Sequence, residues 1–350
     1  MKPEAIISTQ DLEIGFPARA GRPSPKTVAS QINVALNRGE VVCLLGPNGS
    51  GKSTLIRTLS GLHAPLDGSI QLAGKELSAF SAKEKARKIS TVLTDRIIVG
   101  NLSVYELISF GRTPYTGWFG SLRKRDEEII QTAIKSTGIE AFIDRDVLRL
   151  SDGERQKVMI ARALAQDTPV ILLDEPTAHL DLPNRVEIIR LLRKLSHETQ
   201  KGILLSTHEL DLALRAADSL WLMGSDGKVI TGTPEDLVLE GSFESVFARD
   251  SFDFDRSTGS FTLHQPTKQT VYISGDAVAK FWTRRALERE GYRMAESREA
   301  ELKIEILQGH EPRKCRGASL GDGFLWKAST GEREFSCSSI KELITGLRQM

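Results

Sequence analysis

Gly46-Pro47-Asn48-Gly49-Ser50-Gly51-Lys52-Ser53, with Thr54 behind it, decides how the rest of the 350 residues are read. Ahead of it lies Val41-Val42-Cys43-Leu44-Leu45, an apolar run of strand length, and after it a helical pattern opens. The form G-x-x-x-x-G-K-[ST] between a strand and a helix is a phosphate loop. Its glycines let consecutive backbone N–H groups turn inward around a phosphate, while a lysine neutralises the β and γ oxygens and a serine hydroxyl can ligate Mg²⁺. Asn48, Gly49, Ser50, Gly51, Lys52, Ser53 and Thr54 are therefore read as a nucleotide cradle, with Ser53 also a metal ligand.

A second apolar run, Val170 to Leu173, ends in Asp174 and Glu175, and a third, Ile203 to Ser206, ends just before His208. A carboxylate at the end of a buried strand beside a phosphate loop can hold Mg²⁺ through water, and an acid next to it can polarise an attacking water. Asp174 is assigned the first task and Glu175 the second. Short apolar strands alternating with longer helical patterns such as Arg185 to His197 imply parallel βαβ units. Two further strands, Ile6 to Phe16 and Ile32 to Leu36, flank a Pro/Gly-rich loop from Pro17 to Pro25, and a mainly helical stretch fills Ser103 to Ala165.

Leu150-Ser151-Asp152-Gly153-Glu154-Arg155-Gln156-Lys157 resembles the LSGGQ signature of the ABC ATPase family, with Asp152 for the first glycine and Glu154 for the glutamine. The other landmarks of that family follow in order. Phe16 stands 30 residues ahead of the phosphate loop, where the family stacks an aromatic ring on adenine. Ala178-His179-Leu180-Asp181 matches the D-loop, and His208 matches the switch histidine that touches the γ-phosphate. The resemblance spans Ile6 to Gly232 and implies a head-to-tail dimer. Each ATP would lie between the phosphate loop of one chain and Ser151, Gly153 and Glu154 of the other, with Asp181 nearby. One departure stands out: Thr94, in Val92-Leu93-Thr94-Asp95-Arg96, occupies the place of a glutamine that contacts Mg²⁺. Either its hydroxyl acts through a water or Asp95 takes part.

The expected architecture is α/β: a P-loop ABC ATPase domain over 1–240, with a RecA-like core, an antiparallel β subdomain and a helical subdomain at about 96–165. Residues 241–350 are read as a linker and a small accessory α+β domain, with Trp282, Tyr292 and Trp326 as its bulky anchors. Within the family, Asn101 to Leu107 followed by Gly111-Arg112-Thr113-Pro114-Tyr115 resembles the ATPases of importers for iron-siderophore, haem and cobalamin chelates. That resemblance implies ATP and Mg²⁺ as cofactors, a separate membrane permease, indirectly a substrate-binding protein, and a peripheral place on the cytoplasmic face of the membrane. An exporter ATPase and a soluble non-transport ABC ATPase are the alternatives. The second is disfavoured because only one set of motifs is present and only 98 residues separate Lys52 from Leu150, without sustained heptads.

Composition agrees with this and excludes other classes. At 40% hydrophobic and 27% charged residues the chain can bury a core, so it reads as globular rather than disordered. No stretch is long and apolar enough to span a bilayer. With 47 Lys+Arg against 46 Asp+Glu there is no basic excess for nucleic acid. Three scattered cysteines argue against a disulfide framework or a zinc site.

Overall fold

The computed structural model describes residues 5–18, 24–94, 101–117, 120–247, 252–256, 259–263, 269–295, 300–315, 318–331 and 333–349. The chain divides into two compact units, Met1–Ala248 and Arg249–Met350.

The first unit opens with β1 (Ala5–Phe16), β2 (Lys26–Ile32), β3 (Ala35–Asn37), β4 (Val41–Leu45), α1 (Lys52–Leu59), β5 (Asp67–Leu72) and β6 (Lys75–Glu76). It continues through α2 (Ala82–Ala86), β7 (Ile89–Val92), α3 (Val104–Ser109), α4 (Lys124–Thr137), α5 (Asp152–Ala165) and β8 (Val170–Leu173). It closes with α6 (Leu182–Thr199), β9 (Gly202–Ser206), α7 (Leu210–Ala216), β10 (Ser219–Met223), β11 (Val229–Gly232), α8 (Pro234–Leu239) and α9 (Ser242–Phe247).

The central sheet runs β11-β10-β4-β9-β8-β7, parallel except for the β10–β11 hairpin. Strands β4, β8 and β9 are buried at every residue, as befits parallel strands covered on both faces, which is why they read as unbroken apolar runs. Their carboxyl ends lie side by side and bring Gly46, Asp174 and Thr207 to one edge. Cys43 sits inside β4, where burial pushes its thiol up to about 12, so it packs as an un-ionised apolar group. A second, antiparallel sheet runs β2-β1-β5-β6 with β3 also on β1. The single strand expected over Ile32 to Leu36 is instead the end of β2 and the start of β3. The break is held by Asn33, whose Oδ1 accepts from the Asp11 N–H at 2.8 Å and whose Nδ2 donates to Asp11 Oδ1 at 3.0 Å.

Between β7 and β8, α3 and α4 pack on α5. Both α3 and α5 start at serines, Ser103 and Ser151, that close capping boxes with Glu106 and Glu154. Within this helical layer Arg112, 3% exposed, donates from Nε to Asp126 Oδ1 at 2.9 Å and from Nη1 to the Ala165 carbonyl at 2.9 Å, with its guanidinium 4.0 Å from the Tyr115 ring centre. Residues 241 onward were expected to be linker, but α9 belongs to the first unit and its Phe243 is fully buried.

The second unit contains a β12 (Phe252–Asp255) and β13 (Ser260–Leu263) hairpin, then β14 (Thr270–Gly275), α10 (Ala277–Arg289), β15 (Arg293–Met294), β16 (Leu302–Cys315), β17 (Ala318–Thr330), β18 (Arg333–Cys337) and α11 (Ile340–Leu347). The five strands from β14 on form a sheet in the order β15-β14-β16-β17-β18, and α10 and α11 share one core with it. Trp326 is a core residue whose indole N–H donates to Thr283 Oγ1 on α10 at 2.8 Å. Tyr292 packs half-buried at the margin of that core. Trp282, expected as a third anchor, is instead 53% exposed: Ala279, Thr283, Ala286 and Leu287 make the buried face of α10, and Trp282 falls outside that stripe against Phe281. No helix among the described residues is long and apolar enough to cross a membrane.

Candidate nucleotide site

The phosphate loop joins the end of β4 to the start of α1. A Cβ at Gly46 would lie 2.3 Å from the Met223 carbonyl oxygen, so the loop can leave the sheet this closely only through glycine. Gly51, at φ 110°, has the same constraint from both backbone and space, since a Cβ there would meet Val28 Cγ1 at 2.4 Å. Gly49, at φ 82°, faces open space. Gly51 brings no side chain to cap α1, which leaves the first-turn N–H groups free to bind an anion. Ser50 Oγ is buried and has no hydrogen-bond partner among the described residues, which suits a cradle whose partner is a phosphate oxygen.

Lys52 is 5% exposed and donates from Nζ to the carbonyls of Gly46 at 2.8 Å and Pro47 at 3.1 Å. Burial lowers its pKa, while the charges of Glu175 and Asp174 act in the opposite direction. The lysine is thus a desolvated cation held by two carbonyls within the field of two acids, which suits a partner for phosphate oxygens.

Across the loop, buried Asp174 accepts at Oδ1 from Ser53 Oγ at 3.0 Å and from Ser206 Oγ at 2.7 Å. The oxygens of Ser53 and Asp174 thus stand side by side as hard donors, where the serine hydroxyl would bind Mg²⁺ and the carboxylate would hold it through water. No group of three or more His, Cys, Asp or Glu gathers as a metal site among the described residues, so such an ion would take its other ligands from phosphate and water. Glu175 adopts φ 51° and its Oε1 lies 2.7 Å from His208 Nε2. Thr94 lies beside this pair, and its hydroxyl donates to the main-chain carbonyl of Asp174 at 2.9 Å. Asp95 falls outside the described residues.

Lys52, Ser53, Asp174, Glu175, His208 and Thr94 thus form one cluster. Phe16 ends β1 at 36% exposure, its ring edge-to-face with His63 at 6.2 Å. Ser151, Gly153 and Glu154 form a separate group at the start of α5. Glu154 Oε2 accepts from the Ser151 N–H at 2.9 Å and from Ser151 Oγ at 2.8 Å, and these bonds hold its carboxyl below the usual carboxylate range. No hydrogen bond or ion pair joins that group to the phosphate loop among the described residues. Asp181 caps α6, accepting from the N–H of Asn184 at 3.1 Å and from its Nδ2 at 2.7 Å. A Cβ at Gly153 would lie 2.8 Å from the Asn184 side chain, so Asn184 ties the signature turn to the D-loop.

Two features escaped the sequence reading. Ser206 bridges the acids, donating to Asp174 Oδ1 and accepting from the Glu175 N–H at 2.9 Å. Arg185 pairs with Glu209 and donates from Nε to the Leu180 carbonyl at 2.6 Å, fixing the D-loop to the residue after His208. The only sequence signal for Ser206 was a polar residue closing an apolar strand.

Comparison with known proteins agrees with this geometry. The ABC transporter family matches residues 29–178 and the iron ABC transporter C-terminal domain matches 268–348. The chain is 35% identical over 244 residues to the probable siderophore transport system ATP-binding protein YusV of Bacillus subtilis, covering 70% of this chain and 86% of that one. It is 35% identical over 246 residues to the ferric enterobactin transport ATP-binding protein FepC of Escherichia coli, covering 70% and 90%. The chain belongs to the ABC transporter ATP-binding family. The dimeric post-hydrolysis structure of the ATP-binding cassette MJ0796 with ADP and Pi superposes with a TM-score of 0.56 at 25% identity, over 65% of this ABC ATPase and 98% of that chain. ATP hydrolysis coupled to transport is the activity of the family, and its cassettes work as dimers.

Proposed function

We propose that this ABC ATPase powers uptake of a metal chelate, an iron-siderophore, haem or cobalamin, through a separate permease at the cytoplasmic face of the membrane. The names of the siderophore and enterobactin relatives support this reading, as does the iron-transporter match of the second unit. In this reading the N–H groups of Asn48 to Thr54 wrap the phosphates, Lys52 neutralises the β and γ oxygens, and Phe16 stacks on adenine. Ser53 and Asp174 would hold Mg²⁺, which would supply positive charge beside the transferring phosphoryl group. Glu175 takes the proton of the attacking water, and His208 orients that carboxylate and reaches the γ-phosphate. Ser151, Gly153 and Glu154 of a second copy close over the nucleotide, with Asp181 beside them.

The observation that carries the hydrolytic reading is the 2.7 Å contact of Glu175 with His208 beside the Ser53–Asp174 pair. The cargo is tested by uptake. A strain lacking this chain should lose accumulation of at least one radiolabelled ferric-siderophore, haem or cobalamin, and regain it with the wild-type chain but not with Lys52→Met. Unchanged uptake of all three would remove the importer reading.

A further inference from the structure

Strand β8 lies between β7 and β9, and its backbone ladder runs out just where the acids begin. Val92 pairs with Leu173 on one side and Leu205 with Leu173 on the other, and the Asp174 N–H makes a last backbone bond to the Val92 carbonyl at 2.8 Å. Among the described residues the next peptide, between Asp174 and Glu175, has no backbone partner on either edge. Its carbonyl accepts from Thr94 Oγ1 at 2.9 Å, and its N–H donates to Ser206 Oγ at 2.9 Å. Thr94 comes from the segment after β7, and Ser206 is the last residue of β9. Each neighbouring strand therefore extends the ladder by one rung with a hydroxyl in place of a backbone group.

We propose that Thr94 and Ser206 act as a two-sided clamp that fixes the Asp174–Glu175 peptide plane and thereby aims the Glu175 carboxylate. Glu175 holds φ 51°, a left-handed conformation that any residue with a Cβ adopts at a cost. Flipping the preceding peptide would relieve that φ, because a flip changes ψ of Asp174 and φ of Glu175 together. Because the two rotations nearly cancel at Cα, a flip tilts the Glu175 Cα–Cβ bond only modestly, and that tilt is enough to disturb the 2.7 Å contact of its carboxylate with His208. One neutral hydrogen bond is of about the same strength as the strain, and two exceed it, so removing either hydroxyl lets the flipped peptide compete. Thr94 stands where the family resemblance puts a glutamine. Its hydroxyl donates to the Asp174 carbonyl, and the clamp gives it a positioning task.

This inference rests on Glu175 as the base, and the test separates the two. Steady-state ATP hydrolysis by the full chain with Mg²⁺ would be measured for Thr94→Val, Thr94→Ser, Ser206→Ala, Glu175→Gln and the double variant Thr94→Val/Glu175→Gln. The clamp predicts that Thr94→Val lowers kcat roughly three- to ten-fold with KM for ATP unchanged. It predicts that Thr94→Ser, which keeps the hydroxyl, restores kcat. Ser206→Ala should lower kcat at least as much, since that hydroxyl also reaches the Asp174 carboxylate. In single-turnover assays, adding Thr94→Val to Glu175→Gln should cause no further loss, because the clamp acts through the carboxylate. Wild-type kcat in Thr94→Val while Glu175→Gln is inactive overturns the clamp alone, as does a Thr94→Ser variant as slow as Thr94→Val. An equal loss from Thr94→Val in both backgrounds also overturns it. Wild-type turnover by Glu175→Gln overturns the base assignment, and the clamp with it.

Discussion

Lys52→Met separates what the phosphate loop does for binding from what it does for folding. The methionine keeps the length of the side chain and removes the charge. In the wild type that charge is desolvated, and its pKa lies below the ordinary lysine value, so the fold holds the protonated form against a net bias. Between that lowered pKa and 10.5 the unfolded chain binds more protons, so stability rises with pH across this window; below it the cost is constant. Removing the ammonium relieves that cost and gives up two hydrogen bonds, to the Gly46 and Pro47 carbonyls. These effects oppose each other, and the nucleotide-free variant should melt within about 1 kcal/mol of wild type. Nucleotide binding has no such compensation. Losing two charge-assisted hydrogen bonds to phosphate, roughly 1.5–3 kcal/mol each, weakens Kd by about two to four powers of ten. At ATP near 100 times the wild-type Kd, ligand stabilises the wild type by about 2.7 kcal/mol, and the variant by less than about 0.4 kcal/mol. Thermal melts with and without Mg²⁺-ATP measure both quantities at once. A variant that kept the ligand-induced shift would refute the placing of Lys52 on the phosphates, and one that lost several kcal/mol without ligand would refute the account of its burial.

Gly51→Ala should be harmful for a different reason: the added Cβ lies 2.4 Å from Val28 Cγ1 at φ 110°, so a destabilisation of roughly 2–4 kcal/mol in denaturant unfolding is expected, together with weakened ATP binding. Acid sensitivity should come in part from Asp126, whose carboxyl is held below its ordinary value of 3.8 first by the Arg123 N–H and then by Arg112. A depressed folded pKa gives stability that is full above the unfolded value and is lost as pH falls through the folded one, so this contribution starts to fall near 3.8 and is gone below the folded pKa. Asp126→Asn should flatten that limb of the melting-temperature profile and, by leaving Arg112 buried without its counter-ion, destabilise the chain by about 3–5 kcal/mol at pH 7. Equal acid slopes in both chains would show that Asp126 is not a source of the acid loss.

The parts of the site visible in the sequence are those whose chemistry is local. The phosphate loop and the paired acids are consecutive residues at the ends of apolar runs, and the buried parallel sheet itself produces those runs, so Gly46 to Ser53, Asp174-Glu175 and His208 could be placed on strand ends before any coordinates. Ser206 and Asn184 could not, because their roles come from partners 31 or 32 residues away in one case and from a close approach of two helix starts in the other. The break at Asn33 was hidden for a similar reason: Ile32-Asn33-Val34-Ala35-Leu36 reads as one short strand, and only the cross-strand Asp11 shows where the chain turns. Trp282 illustrates the limit of reading bulk as burial. Which stripe of α10 faces the sheet is set by Ala279, Thr283, Ala286 and Leu287, small or medium residues that allow close packing, and the largest side chain of the helix is left outside.

Water activation in the proposed hydrolysis falls to Glu175, set by Thr94 and Ser206 and paired with His208. Its most direct test is Mg²⁺-ATP turnover and nucleotide-dependent self-association of Glu175→Gln in the full chain. Retained ATP binding, turnover reduced by at least about 100-fold and a dimer that persists in ATP are the expected results. Turnover near the wild-type rate in that variant would contradict the account.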